Sequence, residues 1–439
     1  MPLHPILRHG AARRALAIAG ALALAVVPSA AQQATYPTAF SPAIAARADV
    51  KAALGHLERG FPKHVDEWIR IAEMQGKSGH EAERGAYVRA EMEKAGLEVS
   101  TDSIGNVTGR WRGTGGGPSI VLAAHLDIVH PLGTNLKVRR EGDTLRAPGI
   151  FDNSASVANM LAVIRAMKAA NLRTKGDILF VATVQEEAGL FGMNWWLEHN
   201  PRPDLLVAMD GGLGPIAYGA LGIYWTKYHF SSEGSHTFTS RGKPTPVRAL
   251  AQAIDRIYAI DPPPLPDGAV YNIGQVHGGE IFNGIPQELY LTVDLRSPDP
   301  SLLDSLDAQI ARIVAGAAEK AGVKWRREVV TRNGAGGTAR MLAGARAHPL
   351  VQSAIDIHRF LGIDIGVPGE ETRVAGSTDA NMGVVRKIPS ISVGRSFGGN
   401  QHTLSEWAHW PSALPASKMV LLLALSMADG TEKGATVVP

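Results

Sequence analysis

At 439 residues the chain is longer than one ordinary hydrophobic core can serve, so two domains are the default. Its 45% hydrophobic and 19% charged content is that of a packed globule, which excludes a disordered chain. The formal charge of +3 equals the three arginines of the first 31 residues, which hold no acids, so residues 32–439 sum to zero. No basic excess then points to nucleic acid or an anionic membrane.

That N-terminal stretch reads as a secretory signal peptide. Arg8, Arg13 and Arg14 precede the apolar run Ala15 to Val27, and Ser29-Ala30-Ala31 supplies a small-residue cleavage site. Cleavage after Ala31 is expected, giving an exported, periplasmic or secreted protein with no membrane attachment. There is no cysteine, so disulfides are excluded and a transition metal would have to be held by His, Asp and Glu.

In chain order, Pro42 to Lys94 has a helical pattern ending near Gly96, and Leu97 to Ser100 and Asn106 to Trp111 read as short strands. Ser119 to Ala124 is a continuous apolar strand of the buried kind, Asn153 to Ala170 an amphipathic helix, and Asp177 to Val184 another buried strand. Leu190 to His199 follows as a helix and Asp204 to Met209 as a strand. Strands alternating with helices predict a largely parallel sheet with both faces covered. From about Gly222 the character changes. Ile223 to Ser231, Val270 to His277 and Glu288 to Arg296 read as strands, and Thr245 to Ile260 and Leu302 to Ala321 as helices. The α/β pattern resumes with helix Pro349 to Phe360, strand Ile388 to Val393 and helix Ala413 to Ser426. The predicted fold class is α/β: a mostly parallel-sheet domain over residues 32–222 and 337–439, with helices on both faces. An α+β domain, 223–336, is inserted into it.

Polar residues gather where these strands end, which is where open α/β sheets build their sites. His125 and Asp127 follow the first buried strand, Asp152 precedes a helix, Glu186 and Glu187 end the next strand, Asp210 the next, and His402 follows the last. Adjacent side chains on an extended segment point apart, so one glutamate could hold a metal while the other serves as general base. Alone, the pair would also fit a solvated strand end.

Jointly, His125-Leu-Asp127, Gly149-Ile-Phe-Asp-Asn153, Glu186-Glu187-Ala-Gly189, Asp210-Gly211 and His402-Thr-Leu-Ser-Glu406 resemble the motifs of the M20 family of co-catalytic zinc peptidases. That family includes aminoacylases, glutamate carboxypeptidases, tripeptidases and succinyl-diaminopimelate desuccinylase, and the resemblance covers the whole mature chain. It implies that Asp152 bridges two metals, with His125 and Asp210 completing one site and Glu187 and His402 the other. Glu186 would be the general base acting on a metal-bridged water, Asp127 would orient His125, and the Asp152–Asn153 bond would be cis. Imidazole and carboxylate donors suit two zinc ions, with cobalt or manganese as replacements.

The insert resembles the family's lid, or dimerisation, domain, which implies a homodimer. His236 matches a lid histidine that polarises the substrate carbonyl, often across the dimer, and Asn283 and Arg296 match positions that bind substrate. A strand-surface ion pair is the other reading of Arg296. Gly376 to Asn381 resembles a substrate-facing loop of the tripeptidase-like branch, through Thr378 or Asn381; an Asx-type turn is the equal alternative. The expected reaction is amide hydrolysis in a short peptide, first as an aminopeptidase. Carboxypeptidase or N-acyl amino-acid deacylase action is second, and a non-catalytic exported binding protein is the rival from another class.

Overall fold

The computed structural model describes residues 37–365 and 375–430; the leader and its cleavage site lie outside them. Four parallel strands form the centre: Ile178–Thr183, Ile120–His125, Leu205–Met209 and Ser390–Val393, in that spatial order. Glu98–Thr101 and Val107–Trp111 extend one edge antiparallel, and Ile216–Ala217 the other, making seven strands.

The continuous apolar runs are explained by burial on both faces. Ile120, Leu122 and Ala124 pack with helices Ala48–Glu73, Ser154–Ala169 and Ala413–Ala428, whereas Val121 and Ala123 pack with Leu190, Met193, Trp196 and Met382 on the opposite face. Trp410–Ala428, the one described stretch long and apolar enough to cross a membrane, is 78% buried and is core.

The insert is a four-stranded antiparallel sheet ordered Val270–Gly278, Glu288–Ser297, Gly222–Ser231, Lys324–Asn333. Tyr228, Phe230, Leu289, Leu291, Val293 and Leu295 project from one of its faces onto helices Pro246–Tyr258 and Pro300–Ala321, making a core of its own. Two features depart from expectation. Lys324–Asn333 is a strand that the sequence did not announce, because its charged residues leave no clean alternation. The helical pattern from Pro42 to Lys94 is broken between Glu73 and Ala82, and that break carries residues of the site.

Four short strands, Phe397–Gly399, Trp407–His409, Thr144–Arg146 and Arg139–Glu141, pair into a further small sheet. It brings the loop that holds His402 beside the segment that leads to Asp152.

Candidate metal centre

The register of the central sheet places His125 opposite Thr183 and Val393 opposite Met209, so the strand ends share one rim. His125, Glu186, Glu187 and Asp210 leave the sheet there. Asp152 and His402 reach the same point from their loops.

The strand before the two glutamates ends at Thr183, and Gln185 turns the chain with φ +53°. The pair therefore diverges because of a tight turn, not because of the strand alternation that the sequence suggested. Two buried carboxylates hold this turn through three consecutive amides. Gln185 N donates to Glu81 Oε1 at 3.0 Å, and Glu186 N and Glu187 N donate to the two oxygens of Asp127, each at 3.0 Å. Ser78 Oγ donates to Asp127 at 2.6 Å. His125 Nδ1 lies 3.1 Å from the backbone O of Asp127 and 3.3 Å from its carboxylate, so this residue orients the imidazole and the glutamate turn together. Ser78 and Glu81 sit in the helix break, and no motif marks their role.

Glu406 does the same for the loop that leads to Asp152. Its carboxylate, 1% exposed, accepts from Gly149 N at 3.0 Å and from Phe151 N and Asp152 N at 2.8 Å each. The Asp152–Asn153 peptide bond is cis.

The side chains converge around Asp152. His125 Nε2 lies 3.1 Å from Asp152 Oδ1, 3.7 Å from Asp210 Oδ2 and 3.9 Å from Glu186 Oε2. On the other side, His402 Nε2 lies 3.4 Å from Asp152 Oδ2 and 2.9 Å from Glu187 Oε1. The two oxygens of Asp152 thus face two different histidine–carboxylate pairs. Donor atoms of His125, Glu186 and Asp210 lie within 4.8 Å of one another, as do those of His125, Asp152 and Glu187. Such a set of imidazole and carboxylate donors fits one or two borderline divalent ions.

The electrostatics fit the same conclusion. Burial pushes Glu186 well above the usual carboxylate range, and Asp210 and Glu187 add to the effect against His125. Hydrogen bonds to Asp152 and Glu187 raise His402 to about 10. Burial opposes ionisation of Asp152, but Arg395 and the histidines hold it well below its ordinary value. So many acids in one buried place demand cations.

Residues 121–426 match Peptidase family M20/M25/M40. The chain belongs to this family. It is 26% identical over 355 residues to carboxypeptidase G2 of a Pseudomonas species, covering 75% of this chain and 80% of that protein. The fold resembles a tripeptidase of Staphylococcus aureus, with TM-score 0.66 and 20% identity over 84% of this chain and 98% of the other. It also resembles a dinuclear metal-binding M20 peptidase of Bacillus subtilis, with TM-score 0.60 and 16% identity, covering 85% and 99%. This M20 protein is accordingly a hydrolase of the peptidase and amidohydrolase class, and the rival reading as a binding protein falls.

The remaining site residues are placed less simply. His236 and Asn283 meet at the tip of the insert, with Asn283 Nδ2 3.4 Å from His236 Nε2, between the paired strands Ser235–His236 and Gly284–Ile285. Both are exposed, beside exposed Phe238, Ile281 and Phe282. Arg296 is paired with Asp294 at 2.9 Å, the strand-surface ion pair that was its alternative reading. Among the described residues, no hydrogen bond or ion pair joins these three to the carboxylate cluster.

Thr378 and Asn381 are buried, and the fold itself uses their polar atoms. Thr378 Oγ1 is 2.5 Å from Ser392 Oγ, Asn381 Nδ2 donates to Leu221 O at 3.0 Å, and Asn381 Oδ1 accepts from Thr378 N at 3.3 Å. The turn reading describes them. Between them, Asp379 accepts from Thr183 Oγ1 at 2.6 Å, while its Oδ1 has no hydrogen-bond partner. Burial raises its carboxyl to about 7.

Proposed function

We propose that this protein is an exported dinuclear zinc hydrolase that cleaves an amide bond in a short peptide or N-acyl amino acid. The observation that carries the reading is Asp152, whose two oxygens face His125 and His402 separately, with Asp210 beside one and Glu187 beside the other. His125, Asp152 and Asp210 would hold one ion, and Asp152, Glu187 and His402 the second. Such a pair supplies a water of lowered pKa and polarisation of the scissile carbonyl. Glu186, the remaining carboxylate at this point, takes the proton of the attacking water and delivers it to the leaving nitrogen. Asp127 keeps His125 and both glutamates in register during that transfer. The arginine-flanked apolar leader supports export, and the cysteine-free donor set supports zinc, with cobalt or manganese as replacements.

Aminopeptidase action was expected mainly from Thr378 and Asn381, and their internal hydrogen bonds withdraw that support. The carboxypeptidase or deacylase reading gains from the likeness to carboxypeptidase G2, whereas the Asp294 ion pair of Arg296 gives it no added support. A panel of di- and tripeptides blocked at one end tests this. Hydrolysis should survive an acylated N-terminus and fail with an amidated C-terminus; the reverse pattern would restore the aminopeptidase reading.

His236 and Asn283, exposed beside Phe238, Ile281 and Phe282 and, among the described residues, not bonded to their own cluster, support a homodimer in which the lid of one subunit serves the site of the other. His236→Ala and Glu186→Gln chains should each be inactive alone. Mixed and allowed to exchange subunits, they should recover a measurable fraction of wild-type turnover. No recovery in proven heterodimers would place His236 in its own subunit's site.

A further inference from the structure

Arg395 lies in Val393-Gly-Arg-Ser-Phe397, seven positions before His402, and nothing in the sequence marked it. It is 1% exposed. Its backbone is fixed at both ends, N donating to Gly211 O at 3.2 Å and O accepting from Asn159 Nδ2 at 2.9 Å. The guanidinium lies 4.1 Å above the Phe151 ring. Its Nη1 donates to Asp210 Oδ1 and, at 3.2 Å, to Asn153 Oδ1, while Nη2 lies 3.2 Å from Asp152 Oδ1. This permanently charged fork therefore grips two of the carboxylates assigned above to metal.

The grip is one-sided. Asp210 gives Oδ1 to Arg395 and keeps only Oδ2 on the His125 side. Asp152 Oδ1, also on that side, is shared between His125 and Arg395, whereas Oδ2 faces His402. No ion pair joins Arg395 to Glu187, the other carboxylate of the His402 side. A fixed cation beside one half of the centre repels a divalent ion there, and it leaves Asp210 a single oxygen to offer.

We infer that Arg395 is a positioning residue that holds Asp152 and Asp210 in place before metal arrives. It makes the His125/Asp152/Asp210 half the weaker one, so it fills second. The inference rests on the dinuclear reading above. Metal-stripped full-length protein titrated with cobalt(II), followed by visible absorption and by elemental analysis, should take up two equivalents in two resolved steps. Asp210→Asn should lose only the weaker step. Arg395→Met should tighten the weaker step by about tenfold or more, because relief of the repulsion outweighs the loss of orientation behind a ligand. The same variant should lower the melting temperature of the metal-free protein and enlarge the rise that cobalt produces.

Two equal steps in the wild type, or a weaker second step in Arg395→Met, would overturn the inference while leaving the dinuclear reading intact. Absence of any metal uptake would overturn both. Should Arg395→Met fail to fold, Arg395→Lys keeps the charge and should keep the two steps apart, and steps that merge would count against the inference.

Discussion

Replacing Glu186 with glutamine is expected to lower kcat by about a thousandfold while the metal content stays that of the wild type. A positioned general base is worth about two to four powers of ten, and an amide of the same shape cannot accept a proton. The substitution leaves the surroundings intact, because the backbone N–H of residue 186, not its side chain, binds Asp127. Turnover of a peptide substrate and elemental analysis of the same sample decide the matter. The measurement is sharp because Glu186 Oε2 is close enough to His125 and Asp210 to serve as a donor itself. If metal and activity fall together, Glu186 is a ligand and the proton must be moved by another group.

Glu406→Ala is expected to cost about 5 kcal/mol of stability, although Glu406 touches no substrate. Its carboxylate satisfies three buried N–H groups of the loop that ends in Asp152, and hydrogen bonds to a charged acceptor are worth about 1.5–3 kcal/mol each. Burial pushes the Glu406 carboxyl up to about 7, and Asp152 beside it adds to this. Chemical unfolding should be compared at about pH 5 and pH 8: a carboxyl raised in the folded state contributes less as pH climbs from its ordinary value through about 7, so the loss should be smaller at pH 8. Glu406→Gln should lose less than half as much, since its amide oxygen can still accept from Phe151 and Asp152. Metal should dissociate more easily from the alanine variant. An unfolding free energy unchanged within about 1 kcal/mol would show that water replaces the carboxylate at no cost.

The layout of the sheet was legible because its strands are apolar without interruption, and such strands must lie between two layers of helix. The six residues around the centre were legible because four of them end or closely follow central strands and Asp152 and His402 lie in motif-bearing loops beside them. What could not be read is of three kinds. The strands flanking His402 and those before Asp152 are three residues each, too short for any period, and the two pairs are joined to each other only across more than 250 positions. The groups that hold the ligand loops, Ser78, Glu81 and Arg395, act through backbone amides or other side chains, which leaves no spacing to recognise. For Thr378 and Asn381 the motif left a substrate-facing loop and a turn as equal readings, and their polar atoms are bonded within the fold. A polar side chain turned inward and satisfied looks, in sequence, like one facing a substrate.

The turn that carries the two glutamates is fastened to the insert as well as to its own domain. Asn333 Nδ2 donates to Gly189 O at 3.1 Å, and a side chain at Gly189, whose φ is +124°, would collide with Thr331. The last strand of the insert therefore abuts the segment immediately after Glu186 and Glu187. If the lid swings about this joint, its pivot lies beside the two glutamates, not at a distance from them as in a long-armed clamp. Closure and proton transfer then share one mechanical part, and an amino acid larger than glycine at position 189 would disturb both at once.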